Sequence, residues 1–531
     1  MRRIVILAFV LLPLAIGGLA ACGDRDGGSP QGLQIVLTHG NNSRPYLPWP
    51  AEVAKQVAGD LEDVGFEVEI DMQPWSSYIP YVENGRHQAA ILGWSADVPD
   101  TDNFLAALLH EDSAEIGSAN NISFYRSKEV SDRLDQARLT HDEAQRDALY
   151  REAQALIFRD VPMVPLVYTD RMVAHRTTHG PLSVEWVTHP LLRLVEQPVD
   201  GELVFLRGSD SNKLDPGDVT DGESSKVIEQ IYDTLVRYQA GTLEIEPSLA
   251  TSWSSSDDHT VWTFQIRAGV KFHDGTMLDG GAVVDTFERM RDPEHRFSFP
   301  DGKWANWKGL FGFVERVEMG THPLEVVFRC REPAPPFFLK QLAMFTCSII
   351  SPSAMEKHGS KIRRNPVGTG PFRFVDWNTD VEIRLARNDE YWDGPPALAK
   401  LSFRISNNAT VRSNRLISNN GAHVIDNLDP ATIPALEGDA NVSVARRPQS
   451  SLCYLALNNL KPPFDDPRVR EAVGYAINKN RIIQLAYKGY AKPAAVPVPP
   501  GFNGFAADLE DRPYDPEKAK AILREAGYEV P

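Results

Sequence analysis

The sequence predicts a mixed α/β chain of several lobes whose elements run in a rotated order. Three observations predict it. Helical and strand periodicities alternate along 531 residues, more chain than one hydrophobic core can serve. The last segment has Asp515 as N-cap, Pro516 at the first helical position and Gly527 as a stop, after which a strand is due. The first apolar strand, residues 33–38 (LQIVLT), has only a short polar tether before it. A helix lacking its strand and a strand lacking its helix suggest a circular permutation. Chains tolerate one where the old termini lie close together and the new cut falls in an exposed loop.

In order along the chain, Arg2 and Arg3 precede an apolar run over residues 4–16, too short to span a bilayer comfortably. Small residues then lead to Cys22, so residues 1–21 are expected to be a cleaved signal and 22–32, rich in Gly, Pro and charge, a tether. Residues 50–64 carry Val53, Val57, Leu61 and Val64 at helical spacing, and Gly65 ends the helix. Phe66, Val68 and Ile70 alternate with acidic residues as a half-buried strand. A helix over about 142–158 leads to an apolar strand at 163–168, and a further strand opens at 203–206 after Gly201. Residues 261–266 and 325–328 are expected to be strands of a lobe rich in aromatics and turns. Asp466 caps a helix opened by Pro467, with Val469, Val473, Ala476 and Ile477 on one face.

Composition excludes some functions. With 55 basic against 72 acidic residues, a net of −17, a nucleic-acid groove is not expected, and the acidity favours solubility. Besides Cys22 there are Cys330, Cys347 and Cys453, with no CxxC. Pairing of Cys330 with Cys347, the nearer pair, and three buried free thiols both remain open. His175, His179 and His189 raise the question of a metal, but Arg176-Thr177-Thr178 and Gly180 favour a strand and turn over one helix face, and no metal is expected. There is no G-x-S-x-G, and Gly368-x-Gly370 is neither a Walker loop nor a full dinucleotide fingerprint. No catalytic constellation and no cofactor are expected.

Several local motifs carry a resemblance. Residues 458–470 (NNLKPPFDDPRVR), 367–372 (VGTGPF), 388–394 (NDEYWDG), 270–276 (VKFHDGT) and 93–104 around Gly93-Trp94-Ser95-Ala96-Asp97 resemble the peptide/nickel class (family 5, dipeptide-binding-like) of ABC-transporter solute-binding proteins. The resemblance implies a three-lobed periplasmic-binding-protein type II-like fold (cluster C), with two lobes closing over ligand about a hinge. Family members begin with a strand like 203–206, run to the capped helix at Asp515, then continue into a strand like 33–37; here the final third stands first. The implied lobes are 171–233 with 368–446 as the first, 234–367 as the second, and 33–170 with 447–531 as the third. Leu19-Ala20-Ala21-Cys22 resembles a bacterial lipobox, which implies lipid on Cys22. A monomer on the cell envelope is then expected, anchored in the membrane, facing the periplasm or exterior and serving an ABC permease.

The family also implies a site. A buried ligand ammonium needs a carboxylate and a buried ligand carboxylate needs a guanidinium, because either one unpaired costs several kcal/mol. Asp97 matches the residue that holds the ammonium of a dipeptide, and Arg44 the one that holds its carboxylate. Tyr46 and Trp75 fall in the aromatic pocket, Trp94 beside Asp97 is counted among the ligand-binding residues, and Thr220-Asp221-Gly222 falls on the loop that meets ligand from the first lobe. An acid at Asp221 favours a cationic ligand or a water-mediated contact. The residues alone permit blander roles: Asp97 as a turn cap in an Asp- and Pro-rich loop, Arg44 as a loop arginine paired with a surface acid, Trp75 as packing. The alternatives to a dipeptide are an oligopeptide, a nickel chelate, a haem, or a folded copy that binds nothing.

Overall fold

The computed structural model describes residues 33–182, 184–185, 189–195 and 201–531, with 448–450 by backbone only. The expected signal, the tether and Cys22 lie outside the described residues.

Eleven strands form one large sheet among the described residues. Two long strands run through its middle, Met163–Arg176 and Val442–Leu457, paired antiparallel. Residues Val442 to Arg447 pair with Arg176 to Arg171, and Ser451 to Ala456 with Thr169 to Met163, with a register shift between Arg447 and Ser451. The irregularity bends the sheet where its two halves meet. On one side lie Val424–Asp426, Leu203–Arg207, Lys400–Ile405, Glu382–Arg387 and Phe372–Asn378. On the other lie Ala89–Ser95, Gln34–Gly40 and Glu67–Gln73, and the short strand Ala491–Pro493 pairs with Met163–Arg176 off this path. The strand expected at 163–168 is thus longer than its apolar run. Thr169-Asp170-Arg171 breaks the hydrophobic pattern without breaking the ladder.

Each half of the sheet has its own core. One face of the second half buries Ile35, Leu37, Val57, Leu61, Val469 and Val473; the other buries Tyr78, Phe104, Tyr150 and Tyr454. The first half buries Phe205, Val227, Ile231, Phe372 and Phe403. A separate four-stranded antiparallel sheet carries the aromatic cluster of Phe264, Phe287, Trp307, Phe328 and Phe338. Ile350, Met355 and Ile362, at the end of the stretch expected to form the second lobe, are buried with the first half of the large sheet. The Gly-Thr-Gly-Pro-Phe turn shows why it needs glycine: a Cβ on Gly368 would lie 2.4 Å from the Ile231 carbonyl oxygen. Gly370 N–H donates to that oxygen at 2.9 Å, and Thr369 Oγ1 to Asp233 at 2.8 Å.

The first and last described elements share one core. Helix Pro516–Glu525, capped by Asp515 accepting from Lys518 N–H at 2.9 Å, buries Ala519 and Leu523 with Leu33, Ile35 and Leu37. Gly527 is left-handed at φ +97°, and a Cβ on Gly65 would lie 2.8 Å from the Val530 side chain. Helices Pro50–Glu62 and Pro467–Ala476 form where the spacing predicts, Asp466 capping the latter by accepting from Arg468 N–H at 2.8 Å. Ile477 lies one residue past that helix and is still buried. In the edge strand Glu67–Gln73, Val68 packs against the core beside buried Phe66, while Ile70 at the next position of the same face is exposed. Cys330, Cys347 and Cys453 are free and buried, so Cys330 and Cys347 do not pair. No helix among the described residues is long and apolar enough to cross a membrane.

Candidate functional site

A cavity of about 1520 Å³ opens between the halves of the large sheet, and all eight residues singled out from the sequence line it. Arg44 and Tyr46 come from the loop after Gln34–Gly40, held by paired hydrogen bonds between Arg44 and Leu47 of 3.0 and 2.9 Å. Trp75 opens helix Trp75–Glu83, Trp94 ends strand Ala89–Ser95, and Asp97 follows it. Asn103 ties these together, its Oδ1 accepting from Trp94 Nε1 at 3.3 Å and from Asp97 N–H at 3.0 Å. Thr220, Asp221 and Gly222 approach from the other half of the sheet, at the start of helix Gly222–Ile231.

The two charges differ in what answers them. The Arg44 guanidinium carbon lies 3.7 Å from the Trp75 ring centroid, a cation–π contact that fixes the head without neutralising it. Its Nε has no hydrogen-bond partner among the described residues. The Tyr46 ring covers Gly93, where a Cβ would lie 2.2 Å from it, so only glycine admits the ring. Asp97 is exposed on the cavity wall, and the protein mass around the cleft pushes its carboxyl up to about 6, against the opposing pull of Arg171.

The facing wall is densely charged. Lys226 bridges Glu223, at 2.8 Å, and Asp426. Arg412 donates to the carbonyls of Ser406 and Asn427 at 2.7 and 2.9 Å. Glu229 is pushed up to about 7 by burial, and the His189 N–H, which it accepts at 2.8 Å, together with Arg171 restrains the rise. Arg171 stands between the walls, under the fields of Glu229, Asp426 and Asp97. None of Lys226, Arg171, Glu229, Asp426 or Arg412 stood out in the sequence. Charges within a strand or helix pattern read as solvated faces, and no motif marks these.

Asp221 also has a local role: while lining the cavity, its carboxylate caps helix Gly222–Ile231, accepting from Ser224 N–H and Ser224 Oγ at 2.9 Å each. His175 ends a strand, His179 sits in the turn after it, and His189 accepts or donates to Ser225 Oγ at 2.8 Å. Among the described residues no cluster of His, Cys, Asp and Glu is arranged to hold a metal.

The family model for bacterial extracellular solute-binding proteins, family 5 Middle, matches residues 24–115 and 244–531. The chain belongs to this family. It is 36% identical over 318 residues to the dipeptide-binding protein of Escherichia coli, covering 56% of this chain and 58% of that protein. It is 35% identical over 312 residues to di/tripeptide-binding protein 2 of Pseudomonas aeruginosa (56% and 58%), and 34% over 317 residues to heme-binding protein A of Haemophilus influenzae (56% and 57%). The matched part thus spans 58% of the length of the first two family 5 relatives. Among solved structures, the periplasmic binding protein DppA of Helicobacter pylori, in complex with peptide STSA, superposes with a TM-score of 0.54 at 32% identity, covering 62% of this chain and 66% of that one. A dipeptide-binding protein of a Pseudoalteromonas species, in complex with Met-Leu, gives 0.53 at 25%, with 62% and 67% covered. The mixed α/β fold is that of periplasmic binding proteins.

Proposed function

We propose that this chain is an extracytoplasmic solute-binding lipoprotein that captures short peptides, dipeptides best, and delivers them to an ABC permease. The observation that carries the reading is the pairing of Asp97 with Arg44 in one cavity. Asp97 is a carboxylate exposed on the cavity wall whose ionisation the surrounding cleft opposes, and Arg44 is a guanidinium held on a ring with its Nε unpaired. A free peptide brings the ammonium and the carboxylate that these two lack. Tyr46, Trp75 and Trp94 supply apolar surface around them, and Thr220 and Gly222 reach the ligand from the opposite wall. Two similar structures hold a peptide. Lipid on Cys22 holds the protein to the membrane as a monomer, and we assign it no enzymatic activity.

In this reading the fold is circularly permuted. The halves of the large sheet are the first and third lobes, and the four-stranded sheet is the core of the second. The family match falling in a front piece and a back piece supports it, as does the burial of Leu523 beside Leu37. The tether would leave from the third lobe. The pair of strands Met163–Arg176 and Val442–Leu457 is the hinge, bent at the register shift.

Thermal melting of residues 23–531 with a panel of free dipeptides tests the reading. A ligand that binds only the folded state raises the melting temperature. A cooperative melt raised by dipeptides supports the proposal; a cooperative melt that no peptide moves redirects it to a nickel chelate, a haem or no ligand.

A further inference from the structure

The cavity has an arm that the charged pair does not account for. Trp75, Ile79 and Glu83 stand four residues apart on helix Trp75–Glu83, and all three line the cavity. Residues at this spacing share one helix face, so they form a single wall about 12 Å long at 1.5 Å per residue. Asn103, Ala106 and Ala107 of helix Asp102–Leu109 also line the cavity, and the alanines are short. Leu92, Ala106 and Ile122 belong to the same packed cluster as Trp75 and Ile79 and line the cavity with them.

The arm is apolar along its length and acidic at its end. Ile79, Val82, Leu92 and the two alanines offer hydrocarbon, whereas Glu83 offers a carboxylate. Helical side chains lean toward the N-terminus, which aims Glu83 back along the arm toward Trp75. Among the described residues no cation pairs with it, and burial raises its carboxyl above the ordinary range. The whole cavity shares this sign: nine carboxylates line it against five cationic side chains, Arg44, Arg138, Arg171, Lys226 and Arg412.

We propose that this arm is a subsite for a basic side chain, so that the preferred ligands are peptides carrying lysine or arginine. A lysine lays its methylenes along the apolar walls and brings its ammonium to Glu83. A carboxylate-bearing side chain would meet an unpaired like charge and is rejected. The inference rests on the peptide-binding reading and adds the ligand class to it.

Calorimetric titration of the protein with Lys-Ala, Ala-Lys, the two matching norleucine dipeptides and the two matching glutamate dipeptides tests it. Norleucine keeps the hydrocarbon and removes the charge, so its binding alone reports the peptide reading. The expected result is that one lysine peptide binds roughly tenfold more tightly than its norleucine partner, and the glutamate peptide more weakly than both. In Glu83→Gln the lysine-to-norleucine ratio should collapse to within about twofold. Equal binding of lysine and norleucine peptides, or a ratio that survives Glu83→Gln, overturns the subsite while leaving a peptide binder. Failure of every peptide to bind overturns the peptide reading and this inference with it.

Discussion

The Arg44 guanidinium carbon lies 3.7 Å from the Trp75 ring centroid, with its Nε unpaired among the described residues. The ring fixes the head, and a planar fork suits a ligand carboxylate better than a point charge does. Arg44→Ala should weaken peptide binding by about 2–5 kcal/mol, as losing one partner of an enclosed pair does. Arg44→Lys should restore only part of it. Calorimetric titration measures both, and unaltered affinity in Arg44→Ala would remove the residue from the site.

Asp97 makes the site sensitive to pH. A folded-state value pushed up to about 6 means that the ligand-free protein gains stability from protonated Asp97 at low pH and loses it as pH rises through about 6. Ammonium binding needs the ionised form, so affinity should be level above neutrality and fall as pH drops through the same value. Asp97→Asn should melt no lower than the native protein at pH 8 in the absence of ligand, while losing the peptide-induced shift. A flat affinity profile from pH 8 to 5 would contradict the assignment.

Gly93 admits the Tyr46 ring. A methyl there would lie 2.2 Å from the ring and 2.5 Å from the Leu452 carbonyl oxygen, and neither wall yields freely. Gly93→Ala should therefore cost about 1–3 kcal/mol of stability by overpacking and displace Tyr46 from the cavity. Melting and titration together check it; an unchanged melt would show that the loop relaxes.

The His141 and His259 rings stack at 3.7 Å and 12°, joining the turn before helix Glu143–Asp160 to a loop beside the four-stranded sheet. Burial first, and then His259, hold His141 below the ordinary histidine value. A depressed value means the contact's stabilisation is present above that ordinary value and lost as pH falls below it. Small-angle scattering should show the molecule opening on acidification, less so in His141→Asn. Identical curves from pH 8 to 5 would discount the contact.

Leu523 near the last residues is fully buried beside the first described strand. Leu523→Ala should cost about 2–5 kcal/mol, as for other core leucines. If the order is permuted, joining 531 to 33 and reopening the chain before 202 should give a protein with the same peptide affinity. Failure of that rearranged chain to fold would argue against permutation.

Much of this was legible in the sequence, for definable reasons. Asp466 and Asp515 cap helices as the sequence indicates, because an N-cap is a local contact within four residues. The eight site residues, whose positions the family resemblance supplied from several stretches of chain, all line one cavity. The charged wall of Lys226, Glu229, Asp426 and Arg412 was not legible: its members are brought together by the sheet from distant stretches of chain, each looking locally like surface. Asp221 caps a helix as well as lining the cavity, a local role that its place in the sequence did not signal. Glu83 became informative only once helix Trp75–Glu83 set it on the same face as Trp75 and Ile79.

The central claim, that one cavity answers both ends of a free peptide, is tested most directly by titrating a free dipeptide, its N-acetyl form and its C-amide into the native protein, Asp97→Asn and Arg44→Ala. Acetylation should cost the native protein roughly a hundredfold in affinity but little further in Asp97→Asn, and amidation should behave likewise with Arg44→Ala. Blocked peptides that bind the native protein as well as the free one would contradict the account.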